Sequence, residues 1–382
     1  MLNKELIDMK KAISVILCIA MIFSAIGTVA FAADENGGYV RMTGLRQAIF
    51  ALFHKNEILN TRYEGEKSTD TWTQDDIYSL EDTFVIEKQA GEDFVILNLT
   101  DMHFADYDYR AFTAFLASAT MKRLVKKVQP DLITVSGDIV CSDSTVYAIK
   151  RITDLMNSFE TPWAPVFGNH DAEGNCDANY LADIMMQSPY CLFKKGDPEM
   201  GTGNYIINIR ETDGNESKIV HSLIMMDTHG SHVNEKQIAW YKWAAGGICG
   251  ITGEKTESTV FFHIPCAQYQ YAYDAAWDNE AKAWRDGFAA SGEWNEKICC
   301  PRDAEGNPVD NGFFAAVKET GTTKNIFCGH EHLNNFSIEY EGVRMTYTLK
   351  VGMASGFKPG FNGGTKIVLS DEGIRFEHLY SL

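Results

Sequence analysis

Five short apolar runs in this chain each end in polar residues that can bind metals. The polar clusters are Asp101-x-His103, Gly137-Asp138, Gly168-Asn169-His170-Asp171, His263 and Gly329-His330-Glu331-His332. Between 31 and 94 residues separate successive clusters, so the chain has room to leave a sheet and return to it each time. Because open α/β sheets place ligand sites beyond the C-terminal ends of their strands, we expect these side chains to meet at one edge.

The apolar runs alternate with segments of helical spacing. Strands are predicted at 94–99, 132–135 and 162–167, with helices at 110–128 and 146–157 between them. This alternation predicts an α/β sheet with helices on its faces. Further elements are predicted as strands at 222–226, 259–262 and 325–328, a helix at 237–245, and short strands at 336–340, 343–347, 366–369 and 374–378. We expect the four short strands of the last third to form a second sheet packed on the first.

The chain begins with an export signal pattern. Lys10 and Lys11 precede an uncharged stretch from 12 to 33 that ends in Ala30-Phe31-Ala32, a small-x-small cleavage pattern. We therefore predict a signal peptide at 1–32, with an uncleaved membrane anchor as the alternative. The mature protein would be secreted or held at the cell surface, with no stable membrane insertion after cleavage. We assign 33–90 to an N-terminal extension and 91–382 to a single catalytic domain.

Export would permit disulfide bonds. Candidate pairs are Cys176 with Cys191, and Cys249 with either Cys299 or Cys300. Spacing alone does not choose between these pairings.

The charge balance excludes several partners. The chain has 34 Lys and Arg against 52 Asp and Glu, a net charge of −18. Nucleic-acid binding needs a basic surface, and so does docking on anionic lipid. A small anionic substrate stays compatible with this charge, because bound cations can invert the local field of an acidic protein.

The five clusters offer carboxylate, imidazole and amide ligands. This donor set suits manganese, iron or zinc. The sequence has no Cys₄ or Cys₂His₂ spacing of the kind that holds a structural zinc. Each cluster alone is weak evidence, but their shared position after apolar runs favours a metal centre over a set of turns.

The clusters resemble those of the calcineurin-like metallophosphoesterase superfamily, over residues 93–369. The segments at 93–105, 262–265, 311–314 and 329–336 are similar to its purple-acid-phosphatase-like branch. The resemblance implies a four-layer α/β/β/α sandwich. It also implies a centre of two divalent or mixed-valence ions (manganese, iron or zinc) that activate a water to attack phosphorus.

The resemblance also assigns roles position by position. It places the first metal on Asp101, His103, Asp138 and His332, and the second on Asp138, Asn169, His263 and His330. Asp138 would bridge the two ions. His170 would donate a proton or hydrogen bond to the substrate, and Asp171 would orient it. The candidate substrate contacts are Asn169, His170 and His229, although His229 fits an ordinary surface loop as well.

Two positions depart from the branch. Purple acid phosphatases carry a metal-binding Tyr three residues after the bridging Asp, where this chain has Cys141, and His103 is an added ligand. We therefore expect a site without the purple colour and without an obligatory ferric ion. Cys141 is expected to be a small buried side chain, with metal ligation as the alternative.

These observations predict an exported dinuclear-metal phosphoesterase acting on small phosphate monoesters. The alternatives are a phosphodiesterase for cyclic nucleotides or lipid headgroups, and a non-catalytic metal-binding surface protein. The aromatic residues that follow His263 fit either a wall over the substrate or a packed helix face. They are Tyr269, Tyr271, Tyr273, Trp277 and Trp284.

Overall fold

The computed structural model describes residues 61–105, 109–228 and 230–381. The predicted signal peptide at 1–32 and the first part of the predicted extension lie outside these residues, and so does His229. Within the described ranges, no helix has both the length and the apolarity needed to cross a membrane.

The helices and strands follow the predicted alternation closely. The helices are α1 (Tyr109–Val128), α2 (Val146–Asn157), α3 (Ala178–Met185), α4 (Glu235–Thr252), α5 (Ala267–Ala276) and α6 (Phe313–Thr320). The strands are β1 (Phe84–Gln89), β2 (Phe94–Leu99), β3 (Leu132–Ser136), β4 (Trp163–Val166), β5 (Tyr205–Asp213), β6 (Glu216–Met225), β7 (Ser258–Phe261), β8 (Trp277–Asp278), β9 (Ala283–Trp284), β10 (Ala290–Ser291), β11 (Thr323–Cys328), β12 (Ser337–Tyr340), β13 (Val343–Tyr347), β14 (Gly363–Ser370) and β15 (Gly373–Tyr380).

A five-stranded sheet holds the first three predicted strands. Its order is β15-β14-β2-β3-β4, with β2, β3 and β4 parallel and β14 antiparallel to β2. All five residues of β3 are buried, as expected for a strand covered on both faces. The parallel arrangement brings the C-terminal ends of β2, β3 and β4 to the same edge.

An eight-stranded sheet forms the other half of the molecule. Its order is β1-β5-β6-β7-β11-β13-β12-β10. The central strands β6, β7 and β11 are parallel to one another, so β7 and β11 also end at a common edge. The strands β8 and β9 form a separate hairpin.

The two sheets face each other, and helices cover their outer faces. Phe327 of β11 and Phe376 of β15 are in contact, with 6.2 Å between their ring centroids. Helix α1 packs on β2 and β14 of the five-stranded sheet, whereas α4, α5 and α6 pack on strands of the eight-stranded sheet. The predicted α/β/β/α sandwich is confirmed.

The expected division of the strands between sheets was wrong. The strands of the last third do not form a sheet of their own: β12 and β13 extend the eight-stranded sheet, and β14 and β15 complete the five-stranded one. Sequence patterning identifies a strand by its own burial, but the partner of a strand depends on the path of the distant chain. Strands β1 and β5 were not predicted. They pair in parallel, and β1 lies within the range that the sequence analysis assigned to the extension.

Helix α4 is longer at both ends than predicted. It begins after Asn234, whose side chain forms a capping box with Gln237, and it continues through Gly246 and Gly247 to Thr252. A Cβ atom at Gly247 would lie 2.3 Å from the ring of Tyr78, so the glycine makes room for the segment that precedes β1. Gly247 therefore serves close packing inside the helix.

Neither suggested disulfide forms. Cys191 and Cys249 each carry a free thiol, and each suggested disulfide requires one of these two residues. Among the aromatic residues after His263, those on α5 form a packed helix face, the second of the two interpretations, whereas Trp277 and Trp284 lie on the β8–β9 hairpin. Tyr269 and Tyr273 are buried in the core of the eight-stranded sheet, and Tyr273 stacks on Trp277 at a centroid distance of 5.9 Å.

A buried histidine in this sheet makes stability depend on pH. His221 of β6 shares a 2.9 Å hydrogen bond with the Thr259 hydroxyl, and burial lowers its pKa from 6.5 to about 4. The unfolded chain binds the His221 proton more tightly than the folded protein does. The contribution of neutral His221 to the free energy of unfolding is therefore fully present above pH 6.5 and declines as the pH falls toward 4. We expect His221 to remove about 2 kcal/mol from the free energy of unfolding between pH 7 and pH 5.

Urea unfolding of the wild type and of His221→Gln at these two pH values measures this effect. Both proteins share every other titrating group, so the variant should lose less stability by about the stated amount. An equal loss in both proteins would show that His221 does not carry the dependence.

Candidate metal centre

The strand ends of both sheets meet at one place. Strands β2, β3 and β4 supply Asp101, Asp138 and Asn169, whereas β7 and β11 supply the histidines at 263, 330 and 332. The structure gathers the ligand atoms of one group within 4.8 Å of one another: Asp101, His103, Asp138 and His332. This group coincides with the residues that the family resemblance assigns to the first metal.

In this first group, imidazole nitrogens face carboxylate oxygens. His103 Nε2 lies 3.2 Å from Asp138 Oδ2 and 3.7 Å from Asp101 Oδ1. His332 Nε2 approaches the same Asp101 oxygen at 3.3 Å. Asp101, His103 and Asp138 are almost fully buried, and the side chain of His332 keeps 13% of its surface exposed. The group is therefore deep, with one side open to solvent.

A second group shares Asp138. His263 Nε2 lies 3.3 Å from Asp138 Oδ1 and 3.1 Å from Asn169 Oδ1. The ring of His330 lies beside that of His263, at a centroid distance of 5.1 Å. The two carboxylate oxygens of Asp138 thus face different groups, as expected of a bridging ligand.

Unusual backbone conformations aim several of these side chains. Asp101, His103, Asp138 and His330 have φ angles of 51°, 49°, 52° and 76°, in the left-handed region that few non-glycine residues adopt. Backbone hydrogen bonds hold these residues in place at the ends of their strands. For example, the amide of His103 donates to the Asp138 carbonyl at 3.0 Å. Such strain is typical of functional sites, where the surrounding structure enforces it.

One glycine lets the loops approach closely. A Cβ atom at Gly168 would lie 2.2 Å from Asp138 Oδ1. Any other residue would therefore displace the carboxylate shared by the two groups. This close approach explains the glycine that precedes Asn169.

Glu173, rather than Asp171, contacts the His170 imidazole. His170 Nδ1 lies 2.6 Å from Glu173 Oε2, and one third of the His170 side chain is exposed. The fully buried Asp171 accepts hydrogen bonds from the amides of Gly168 at 2.7 Å and Val140 at 2.9 Å. The expectation that Asp171 orients His170 was wrong, because its carboxylate points at the backbone and joins the loops after β3 and β4.

A buried lysine lies behind the first group. Lys350 is 1% exposed, and its Nζ donates to the Asp101 carbonyl at 3.2 Å. Burial lowers the pKa of Lys350, while the charges of Asp101 and Asp138 oppose that effect. No sequence motif marks this residue, which simply follows an apolar strand. Glu173, by contrast, could have been proposed from the sequence as a partner of His170, because it lies only three residues further along the chain.

The electrostatics keep both carboxylates ionised. Burial by itself raises the pKa of a carboxyl group, but hydrogen bonds from His103 and His332 hold the pKa of Asp101 well below its usual range. Asp138 behaves likewise: the charge of His263 and hydrogen bonds from two histidines outweigh burial and lower its pKa. Both buried carboxylates therefore carry a negative charge.

The donor set fits bound cations. Asp101 Oδ1 is buried and has no hydrogen bond of ordinary geometry among the described residues, although two imidazole nitrogens lie within 3.7 Å of it. Donors that share one cation at about 2.1 Å lie about 3.0–3.5 Å apart. Four of the five separations given above, 3.1–3.3 Å, match this spacing, and the fifth is 3.7 Å. The residues therefore fit two cations that share Asp138.

The remaining predicted residues have different places. Cys141 keeps a partly exposed free thiol beside His103 and is not among the converging ligand atoms of the first group. The thiol is less buried than expected, and its absence from the metal ligands stays a prediction. His229 lies outside the described residues.

Comparison with known proteins agrees with this geometry. A model of the calcineurin-like phosphoesterase family matches residues 94–334. A protein of Arabidopsis thaliana named probable inactive purple acid phosphatase 14 is 23% identical over 304 residues, which are 66% of this chain and 69% of that protein. Phosphatase DCR2 of Saccharomyces cerevisiae is 25% identical over 274 residues, or 64% of this chain and 45% of the yeast protein.

A solved structure also aligns with this chain. The crystal structure of a dimetal phosphatase from Danio rerio aligns with a TM-score of 0.48 and 11% identity, over 74% of this chain and 95% of that one. The family match spans more than half of the sequence and includes every strand end of the centre. The chain therefore belongs to the calcineurin-like phosphoesterase family.

Proposed function

We propose that this protein is an exported phosphoesterase with two metal ions that hydrolyses small phosphate monoesters. The convergence of two ligand groups on the shared carboxylate of Asp138 carries the proposal. Two cations held there would supply the Lewis acidity that activates water and neutralises phosphate charge. The apolar N-terminal run after Lys10 and Lys11 supports export.

Different residues around the centre would bind the metals and deliver the proton. Asp101, His103, Asp138 and His332 would hold one cation, and Asp138, Asn169, His263 and His330 would hold the other. The His170 ring lies 5.4 Å from the ring of His103, and Glu173 engages its Nδ1 atom. This leaves Nε2 to hold a proton and deliver it to the leaving oxygen of the substrate.

The names of the relatives support different functions for this protein. The Arabidopsis protein is named probable inactive, which favours a non-catalytic metal-binding protein, whereas the yeast protein is named a phosphatase. The complete ligand set and the His170–Glu173 pair favour the enzyme, because a protein that only binds metal has no use for a proton donor. A diesterase for cyclic nucleotides or lipid headgroups would use the same centre.

We also infer a pair of divalent ions. Lys350 places a buried positive charge behind Asp101, which opposes the additional charge of a ferric ion. Cys141 replaces the tyrosine whose phenolate would stabilise that ion, and His103 adds a neutral ligand. Manganese, ferrous iron and zinc all accept this donor set.

Hydrolysis of model substrates tests the proposal. We expect protein stripped of metal and reloaded with manganese, iron or zinc to hydrolyse p-nitrophenyl phosphate faster than bis(p-nitrophenyl) phosphate. Asp138→Asn should abolish turnover, because both cations lose their shared ligand. Faster hydrolysis of the diester would favour the diesterase, and two bound ions without turnover would favour the non-catalytic protein.

Variants of the proton donor test its role. We expect His170→Asn to lower kcat by about 10²–10⁴-fold while both metals stay bound. Glu173→Gln keeps the hydrogen bond but loses its charge, so kcat should fall by about tenfold. Glu64→Gln, an exposed carboxylate paired with Arg62, is the matched control. Steady-state kinetics and metal content measure these effects, and a change confined to KM would refute proton donation.

A substitution of the buried lysine tests the inferred ion charge. Lys350→Met keeps most of the apolar part of the side chain and removes its charge, so ferric iron should become easier to hold. Mössbauer spectra of iron-loaded protein in air should show a larger ferric fraction than in the wild type or in the exposed control Lys324→Met. An unchanged ferric fraction in a folded variant would show that Lys350 does not set the ion charge.

A further inference from the structure

A second set of ligand atoms lies beside the metal centre. The thiol of Cys299, an imidazole nitrogen of His330 and a carboxylate oxygen of Glu331 all lie within 4.8 Å of one another. Of these three, the centre proposed above uses His330 alone. Thiolate, imidazole and carboxylate together suit a soft or borderline cation such as zinc or cadmium, and they suit manganese poorly.

The buried carboxylate of this set has an unsatisfied oxygen. Glu331 is 2% exposed, and its Oε1 accepts a 2.6 Å hydrogen bond from the Cys299 amide. Its Oε2 is buried, and although the Tyr347 hydroxyl approaches, neither atom completes a hydrogen bond of ordinary geometry. A buried carboxylate oxygen without a partner is costly, and a bound cation would offset that cost.

The thiol is both anchored and accessible. The loop before Cys299 is fixed to the segment after β11, because the amides of Asn295 and Glu296 both donate to Asn334 Oδ1, at 2.9 and 3.0 Å. Cys299 itself is exposed, and its thiol makes a long 3.4 Å contact with the Lys297 carbonyl. A cation can therefore reach the thiol from solvent and meet the buried carboxylate behind it.

We propose that Cys299, His330 and Glu331 bind one soft divalent cation, and that this cation withdraws His330 from the dinuclear centre. Binding displaces the thiol proton to solvent, as it does at other thiolate sites. Because both sites draw on the imidazole of His330, excess zinc or cadmium would inhibit a manganese-loaded enzyme. Binding at this site is independent of the proposed function, whereas inhibition rests on it.

Cadmium chloride titrated into the full chain, with its centre loaded with manganese, tests the binding. We expect an ultraviolet sulfur-to-cadmium charge-transfer band that saturates at one equivalent per chain. The band should be absent in Cys299→Ser and present in the matched control Cys249→Ser, whose thiol lies on α4. Glu331→Gln keeps an acceptor for the Cys299 amide and should weaken cadmium binding by about tenfold or more. A band that persists in Cys299→Ser overturns the site.

The competition has two readouts in the same titration. Cadmium should release Mn²⁺, seen as the free-ion electron paramagnetic resonance signal, and should slow p-nitrophenyl phosphate hydrolysis. Both effects should be lost in Cys299→Ser, which keeps the basal activity of the wild type. Cadmium bound at Cys299 with manganese fully retained overturns the competition. If the protein has no hydrolytic activity, the band and the manganese signal still decide this proposal, while the proposed function fails separately.

Discussion

The structure depends on the burial of two ionised carboxylates between two sheets. Asp101 and Asp138 are almost completely shielded from water, which is costly unless opposite charge and hydrogen bonds surround them. The surrounding imidazoles come from both halves of the molecule. His263 of the eight-stranded half bonds the Ser136 carbonyl of the other at 2.7 Å, and the amide of His330 donates to Asp101 at 3.1 Å. The centre thus joins the sheets at the edge where their strands end.

This requirement explains the local backbone. Side chains at the tips of parallel strands diverge from one another unless the chain turns sharply, and the left-handed residues supply that turn. The buried Asp171 carboxylate, whose pKa burial and the charge of Asp138 raise to about 7, fixes two of the turns through backbone amides. The strained backbone persists because hydrogen bonds between neighbouring strand ends hold each turn in its conformation.

The same arrangement separates roles among neighbouring residues. His170 and Asp171 are adjacent in sequence, yet one faces solvent beside Glu173 and the other lies fully buried against backbone amides. Residues 330 and 331 also have different neighbours, since the ring of His330 lies beside that of His263 whereas Glu331 accepts a hydrogen bond from the Cys299 amide. Consecutive residues at a strand end can therefore meet different partners.

The sequence alone determined the strands that carry the centre, the ligand candidates at their tips and the family. Apolar runs and their polar ends are local properties, and helix α2 was predicted to the residue. The tertiary structure decided how the strands divide between two sheets, that Glu173 is the partner of His170, and that Lys350 lies behind Asp101. These features depend on contacts between distant parts of the chain: Lys350 and Asp101 are 249 residues apart. A local pattern reports whether a side chain is buried, but only the complete fold fixes which group it meets.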